Sequence, residues 1–314
     1  MVLDHHVHTQ FRSLPTGDAF DLADRAAEKG IRVLGFAENF PLPASFALDV
    51  TWEGTMPPED LPHYLDTALA IQVGKRSSGL EILVGVEVDW LPIYRREIGN
   101  RLDRLQDEID FRLLGIHYLG TQSISFAKTV RDDLLFTRYG RAESPADEMF
   151  EENYGSLLNA VRTGLFDIVG HFDVIKKFDD RPGSELAHRH RRSIEKVLDA
   201  LAAQRRVPIE INVSGLDSYC RDIFPSLPIL EWAVDRGIPL TLGSDAATET
   251  HIGRHAEVVR SLLTHLGVSH LAFVRQRALD TLPIDEWLRA AGPTTQVEPT
   301  ADAVDALPYR RATG

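Results

Sequence analysis

Short apolar runs rich in β-branched residues alternate along the chain with amphipathic segments of helical period. Seven runs read as strands: MVLDHHVH (1–8), RVLGFAE (32–38), EILVGVEVDW (81–90), RLLGIHYLG (112–120), DIVGHFDVI (167–175), VPIEINV (207–213) and IPLTLGSDA (238–246). Helical patterns fall between them, over 18–30, 58–79, 188–204 and 227–237, and Gly30, Gly79 and Gly237 suit helix C-termini. Strands separated by helices predict a parallel β/α architecture. A length of 314 residues suits a closed barrel better than an open sheet. No low-complexity linker divides the chain, so one domain is expected over residues 1–289, followed by a polar, Pro-containing tail over 290–314.

Composition narrows the class without changing the fold. A hydrophobic content of 43% is enough to bury a large core. No apolar run reaches the length of about 18 residues that a membrane helix needs, and no basic and apolar leader opens the chain. A cytoplasmic location is therefore expected. The single cysteine, Cys220, rules out an internal disulfide framework. With 34 Lys and Arg against 47 Asp and Glu, the net charge of −13 disfavours a general nucleic-acid partner and leaves a small molecule as the expected one.

The chemistry lies at the strand ends. On an extended strand His6 and His8 point to one side and His5 and Val7 to the other, which makes the first two a pair of metal ligands in waiting. One His-x-His pair proves little, since a polar edge strand produces the same spacing. However, the third strand ends in Glu87 and Asp89, the fourth in His117, the fifth in His171 and Asp173, and the seventh in Asp245. In a β/α barrel the C-terminal strand ends meet at one mouth. Coordination would also make the burial of so many ionisable groups tolerable.

In DHHVHT, GFAENFP, GVEVDW, GIHYL, GHFDVIKKF, EINVSGL and IFPSLPILEWAVDRGIPLTLGSDA the chain resembles the polymerase and histidinol phosphatase (PHP) family, in its histidinol-phosphatase-like branch. The resemblance implies a distorted (β/α)7 TIM-like barrel. It also implies one ion held by His6, His8, Glu87 and Asp245, and a second sharing Glu87 and adding His117 and His171. Many members hold a third ion with three further histidines, whose places are taken here by Leu14, Asn39 and Ala247. Two divalent ions, zinc, manganese or iron, are therefore the expected cofactors, with Asp18 and His251 the nearest groups able to rescue a third.

Glu87, Asp245 and His251 are the candidates for catalysis. Arg12, Asn39, Lys176, Asp217, Arg221 and Arg254 are the candidates for substrate contact, with Lys177 a further cation in the same motifs. Asp217 stands where relatives commonly carry a phosphate-holding arginine. Two cations bridged by one carboxylate activate water for attack on phosphorus, so a phosphoesterase acting on a small phosphorylated metabolite is the leading expectation, with a histidinol-phosphate-like substrate among those allowed. A diiron oxidase of a non-phosphorylated substrate and a non-catalytic metal-binding protein are the alternatives.

Overall fold

The computed structural model describes residues 1–12, 14, 16–47, 54–75 and 79–289. The expected tail at 290–314 and the stretch 76–78 of the expected helix over 58–79 lie outside these residues. Seven parallel strands form one sheet in chain order: β1 (Leu3–Val7), β2 (Val33–Asn39), β3 (Glu81–Asp89), β4 (Phe111–Gly115), β5 (Ile168–Val169), β6 (Ile209–Asn212) and β7 (Leu240–Gly243). Nearly every residue of these strands is buried, as expected of a parallel sheet covered on both faces. The first and last strands approach each other through a parallel bridge between Val7 and Ala246, and His8 N donates to Ala246 O at 2.8 Å, so the sheet is almost closed into a barrel.

Surrounding helices include α1 (Ala19–Glu28), α2 (Leu61–Lys75), α3 (Arg95–Asp103), α4 (Lys128–Tyr139), α5 (Pro145–Thr163), α6 (Gly183–Arg189), α7 (Arg191–Gln204), α8 (Leu227–Asp235) and α9 (Ala256–His265). Among the described residues, no helix is long and apolar enough to cross a membrane. A hairpin absent from the sequence reading, β8 (His270–Arg275) with β9 (Ala278–Pro283), follows α9. Its turn reaches the N-terminal ends of the barrel strands: Gln276 N donates to Asp110 Oδ1 at 3.0 Å, and Arg277 pairs with Asp167. The hairpin therefore covers the end opposite the strand termini that carry the histidines.

The strands are shorter than their apolar runs, and at the C-terminal ends of β4 and β5 one physical reason is visible. After Gly115 the backbone N–H of His117 is taken by Asp89 Oδ1 at 3.0 Å, and after Val169 the N–H of His171 is taken by Glu210 Oε2 at 2.7 Å. A carboxylate that captures a backbone donor removes it from the ladder and turns the chain. The residues expected at the ends of longer strands thus sit on loops held by carboxylates.

Candidate metal centre

Five of the seven strands deliver an ionisable side chain to the C-terminal mouth. His6 lies on β1 with His8 just beyond it, and their rings are 5.0 Å apart between centroids. Glu87 and Asp89 close β3, while His117, His171 and Asp245 follow β4, β5 and β7. One ligand atom each from His6, His8 and Glu87 lies within 4.8 Å of the others, and the same holds for Glu87, His117 and His171. Glu87 belongs to both groups through different oxygens. Its Oε2 stands 3.6 Å from His6 Nε2 and 3.7 Å from His8 Nε2, and its Oε1 stands 3.6 Å from His117 Nε2 and 2.6 Å from His171 Nε2. Asp245 joins the first group at its edge, with Oδ1 3.3 Å from His8 Nε2. Its backbone takes a φ of +51°, a left-handed conformation that costs a non-glycine residue energy and is typical of functional positions.

Three of the four imidazoles have an acid behind them. Glu210 Oε1 holds His6 Nδ1 at 2.8 Å, Asp89 holds His117 Nδ1 at 3.0 Å, and Glu38 lies 3.5 Å from His8 Nδ1. Glu38 is itself fixed by Thr9, whose N and Oγ1 both donate to it at 2.7 Å. The approach of Glu210 to His6 depends on Gly243, where a Cβ would strike Glu210 Oε1 and lie 2.7 Å from the His6 Cβ. Carboxylates behind metal-facing imidazoles set their orientation and basicity. Glu38 and Glu210 escaped the sequence reading. The signal was an acid inside an otherwise apolar strand run, in GFAEN and IEIN, a position that burial alone would forbid.

The charges are strongly coupled. Burial would raise the Glu87 carboxyl, but His117, His6 and His171 hold it well below the usual carboxylate range. Burial opposes protonation of His117, yet Asp89 and Glu87 raise it to about 9, and Glu210 and Glu87 likewise raise His6. By contrast His5, on the other side of β1, packs edge-on to Phe111, and burial lowers it to about 3. The donor set fits divalent cations. His6 Nε2, the nitrogen that faces Glu87, is buried without a hydrogen-bond partner, and imidazole with carboxylate suits zinc, iron or manganese.

A cavity of about 250 Å³ opens over these groups, lined by His8, Glu87, His117, His171 and Asp245, together with Arg12, Leu14, Asn39, Ser214 and Lys177. Asn39 Nδ2 donates to Glu87 Oε2 at 2.6 Å. The other expected contacts do not line it. Lys176 is buried away from it, on Asp173, Asp222, Ser226 and the Ile223 carbonyl, because two carboxylates capture its ammonium. Arg254 donates to Ser244 O and Asp245 O and pairs with Asp217 at 2.9 Å, and neither Asp217 nor Arg254 lines the cavity. Arg221 and His251 are exposed. Asp18, also exposed, caps α1 by accepting from Phe20 N.

The PHP domain profile matches residues 4–214. The Bacillus subtilis histidinol-phosphatase is 28% identical over 258 residues, spanning 80% of this chain and 95% of that protein. A solved Listeria monocytogenes structure superposes with a TM-score of 0.74 at 23% identity, covering 82% of this chain and 99% of that one. The Lactococcus lactis histidinol phosphate phosphatase, solved with zinc, L-histidinol and phosphate, gives 0.69 at 19% identity, covering 88% and 98%.

Proposed function

We propose that this chain, which belongs to the PHP domain family, is a metal-dependent phosphomonoesterase of the histidinol-phosphatase type, acting on a small phosphorylated metabolite through a two-ion centre. His6, His8, Glu87 and Asp245 would hold one ion, and Glu87, His117 and His171 the other. The observation that carries this reading is Glu87, which offers one oxygen to one pair of histidines and the other oxygen to a second pair. When bound, divalent ions supply Lewis acidity toward the phosphoryl oxygens and lower the pKa of water at the site.

The chain's own contribution is preorganisation. Glu210, Glu38 and Asp89 fix the rings of His6, His8 and His117 before substrate arrives, so little reorganisation remains for the reaction. Ser214 Oγ donates to Asp245 Oδ2 at 3.0 Å and keeps that carboxylate turned to His8. The cavity's volume of about 250 Å³ suits a small substrate, and its floor of His8, Asn39 and Glu87 is buried. His251, exposed and outside the cavity lining, has no part in this scheme.

The test is hydrolysis of p-nitrophenyl phosphate and histidinol phosphate after loading with zinc, manganese or iron, zinc first because the Lactococcus lactis protein holds it. Turnover that chelator abolishes and metal restores is expected. Fully loaded protein inert toward every phosphomonoester would refute the reading.

A further inference from the structure

Several sheltered cations of the chain are matched by carboxylates. Lys176 has Asp173 and Asp222, Arg254 has Asp217, and Arg131 and Arg181 share Asp179. Arg12 and Lys177 break this rule. They come from separate loops, after β1 and after β5, and both line the cavity over the histidines. Among the described residues neither has a carboxylate within ion-pair distance, and Arg12 Nε is buried without a hydrogen-bond partner. The acids nearest in effect are already engaged: Glu38 acts on Arg12 but is held by Thr9 and His8, and Asp245 acts on Lys177 but is held by His8 and Ser214. Arg12 and Lys177 also repel each other. Two sheltered cations sharing one cavity without a counter-ion among the described residues are costly unless an anion joins them.

We infer that Arg12 and Lys177 form a clamp for the peripheral oxygens of the substrate's phosphate, a role that rests on the phosphoesterase reading and gives it a specificity determinant. A guanidinium can grip two phosphate oxygens at once, while an ammonium acts as a point charge. The clamp binds the phosphoryl group and leaves the histidine–carboxylate groups to the ions. This assignment also separates Lys177 from its neighbour Lys176, which the same motif presents but which the fold spends on Asp173 and Asp222.

The experiment uses metal-loaded protein and inorganic phosphate as the probe, with binding read by calorimetry and KM read on p-nitrophenyl phosphate. Arg12→Met is expected to weaken phosphate binding and raise KM by about tenfold, with Lys177→Met smaller and the effects multiplying in the double variant. Metal content should stay native, because neither side chain is an ion ligand in this scheme, while kcat/KM falls at least as far as KM rises. Arg12→Lys and Lys177→Arg, which keep the charge, should recover part of the binding and so exclude misfolding as the cause. Phosphate affinity within about twofold of native in both Met variants, with ions retained, would overturn the clamp while leaving the phosphoesterase reading intact. Native protein that binds phosphate through these two residues but hydrolyses no monoester would keep the clamp and overturn that reading. Native protein that binds no phosphate overturns both.

Discussion

Two clusters of buried charge stand side by side in this barrel, and they are built to opposite ends. Around Lys176, the ammonium meets Asp173, Asp222, Ser226 and the Ile223 carbonyl within 2.9 Å, and none of these residues lines the cavity over the histidines. Around Glu87, four imidazoles and a second carboxylate crowd together beside a cavity, with His6 Nε2, which faces Glu87, left without a hydrogen-bond partner. Both clusters draw on the segment 171–176 and both are buried. The first balances its own charge, Lys176 against Asp173 and Asp222, and ties the loop after β5 to the segment 222–226. The second is completed only by something it binds. Burial of ionisable groups is therefore not in itself a sign of function. Burial with ligand atoms left open to a cavity is the sign.

The sharpest way to break this comparison is at Glu87. Glu87→Ala removes the oxygens common to both groups, and its kcat should fall by at least about 10³-fold, about 4 kcal/mol of transition-state stabilisation, with an unchanged circular dichroism spectrum. The charge-balanced cluster should respond in the opposite way. Lys176→Met leaves Asp173 and Asp222 buried without their cation, and its unfolding free energy should drop by about 3–5 kcal/mol, while the folded fraction keeps native metal content. A Lys176→Met protein of native stability but impaired phosphate binding would return Lys176 to the substrate contacts.

Smaller effects lie behind the ligands. Glu210→Gln should weaken metal affinity by about 10- to 100-fold through the orientation of His6, with little change in unfolding midpoint once the ions are bound. The proton balance offers a gentler probe. His117, raised to about 9 by Asp89 and Glu87 against the effect of burial, is protonated in the metal-free protein at neutral pH. Its folded value lies above the free imidazole value of about 6.5. The stability it contributes is thus complete below about pH 6.5 and is lost as pH rises through 9. Metal-free protein should become less stable across that window, and loaded protein should not. Metal binding at neutral pH should release protons, seen as a dependence of the binding heat on buffer ionisation.

The sequence carries much of this architecture, unevenly. The seven strands and their order are legible because parallel strands buried on both faces are continuous apolar runs, and the strand-end acids and histidines are legible because such a sheet rarely tolerates them. The early ends of β4 and β5 are not, since they depend on Asp89 and Glu210 capturing backbone donors of other strands. Nor are the fates of the cations. Lys176 and Lys177 are adjacent and identical in type, and only the fold places Asp222 beside one and the cavity beside the other. Glu210 and Glu38 look like ordinary polar interruptions until the rings of His6 and His8 are seen in front of them. The hairpin β8–β9 follows a chain already long enough for the barrel, and its alternation is mixed, with Asp280 and Thr281 exposed on β9.

The central claim, that Glu87 joins two metal positions, is tested most directly by elemental analysis of the native protein and of Glu87→Ala, purified without added metal or chelator. The account predicts close to two ions per chain in the native protein and fewer than one in the variant. Three ions per native chain, or a variant that keeps its full complement, would contradict it.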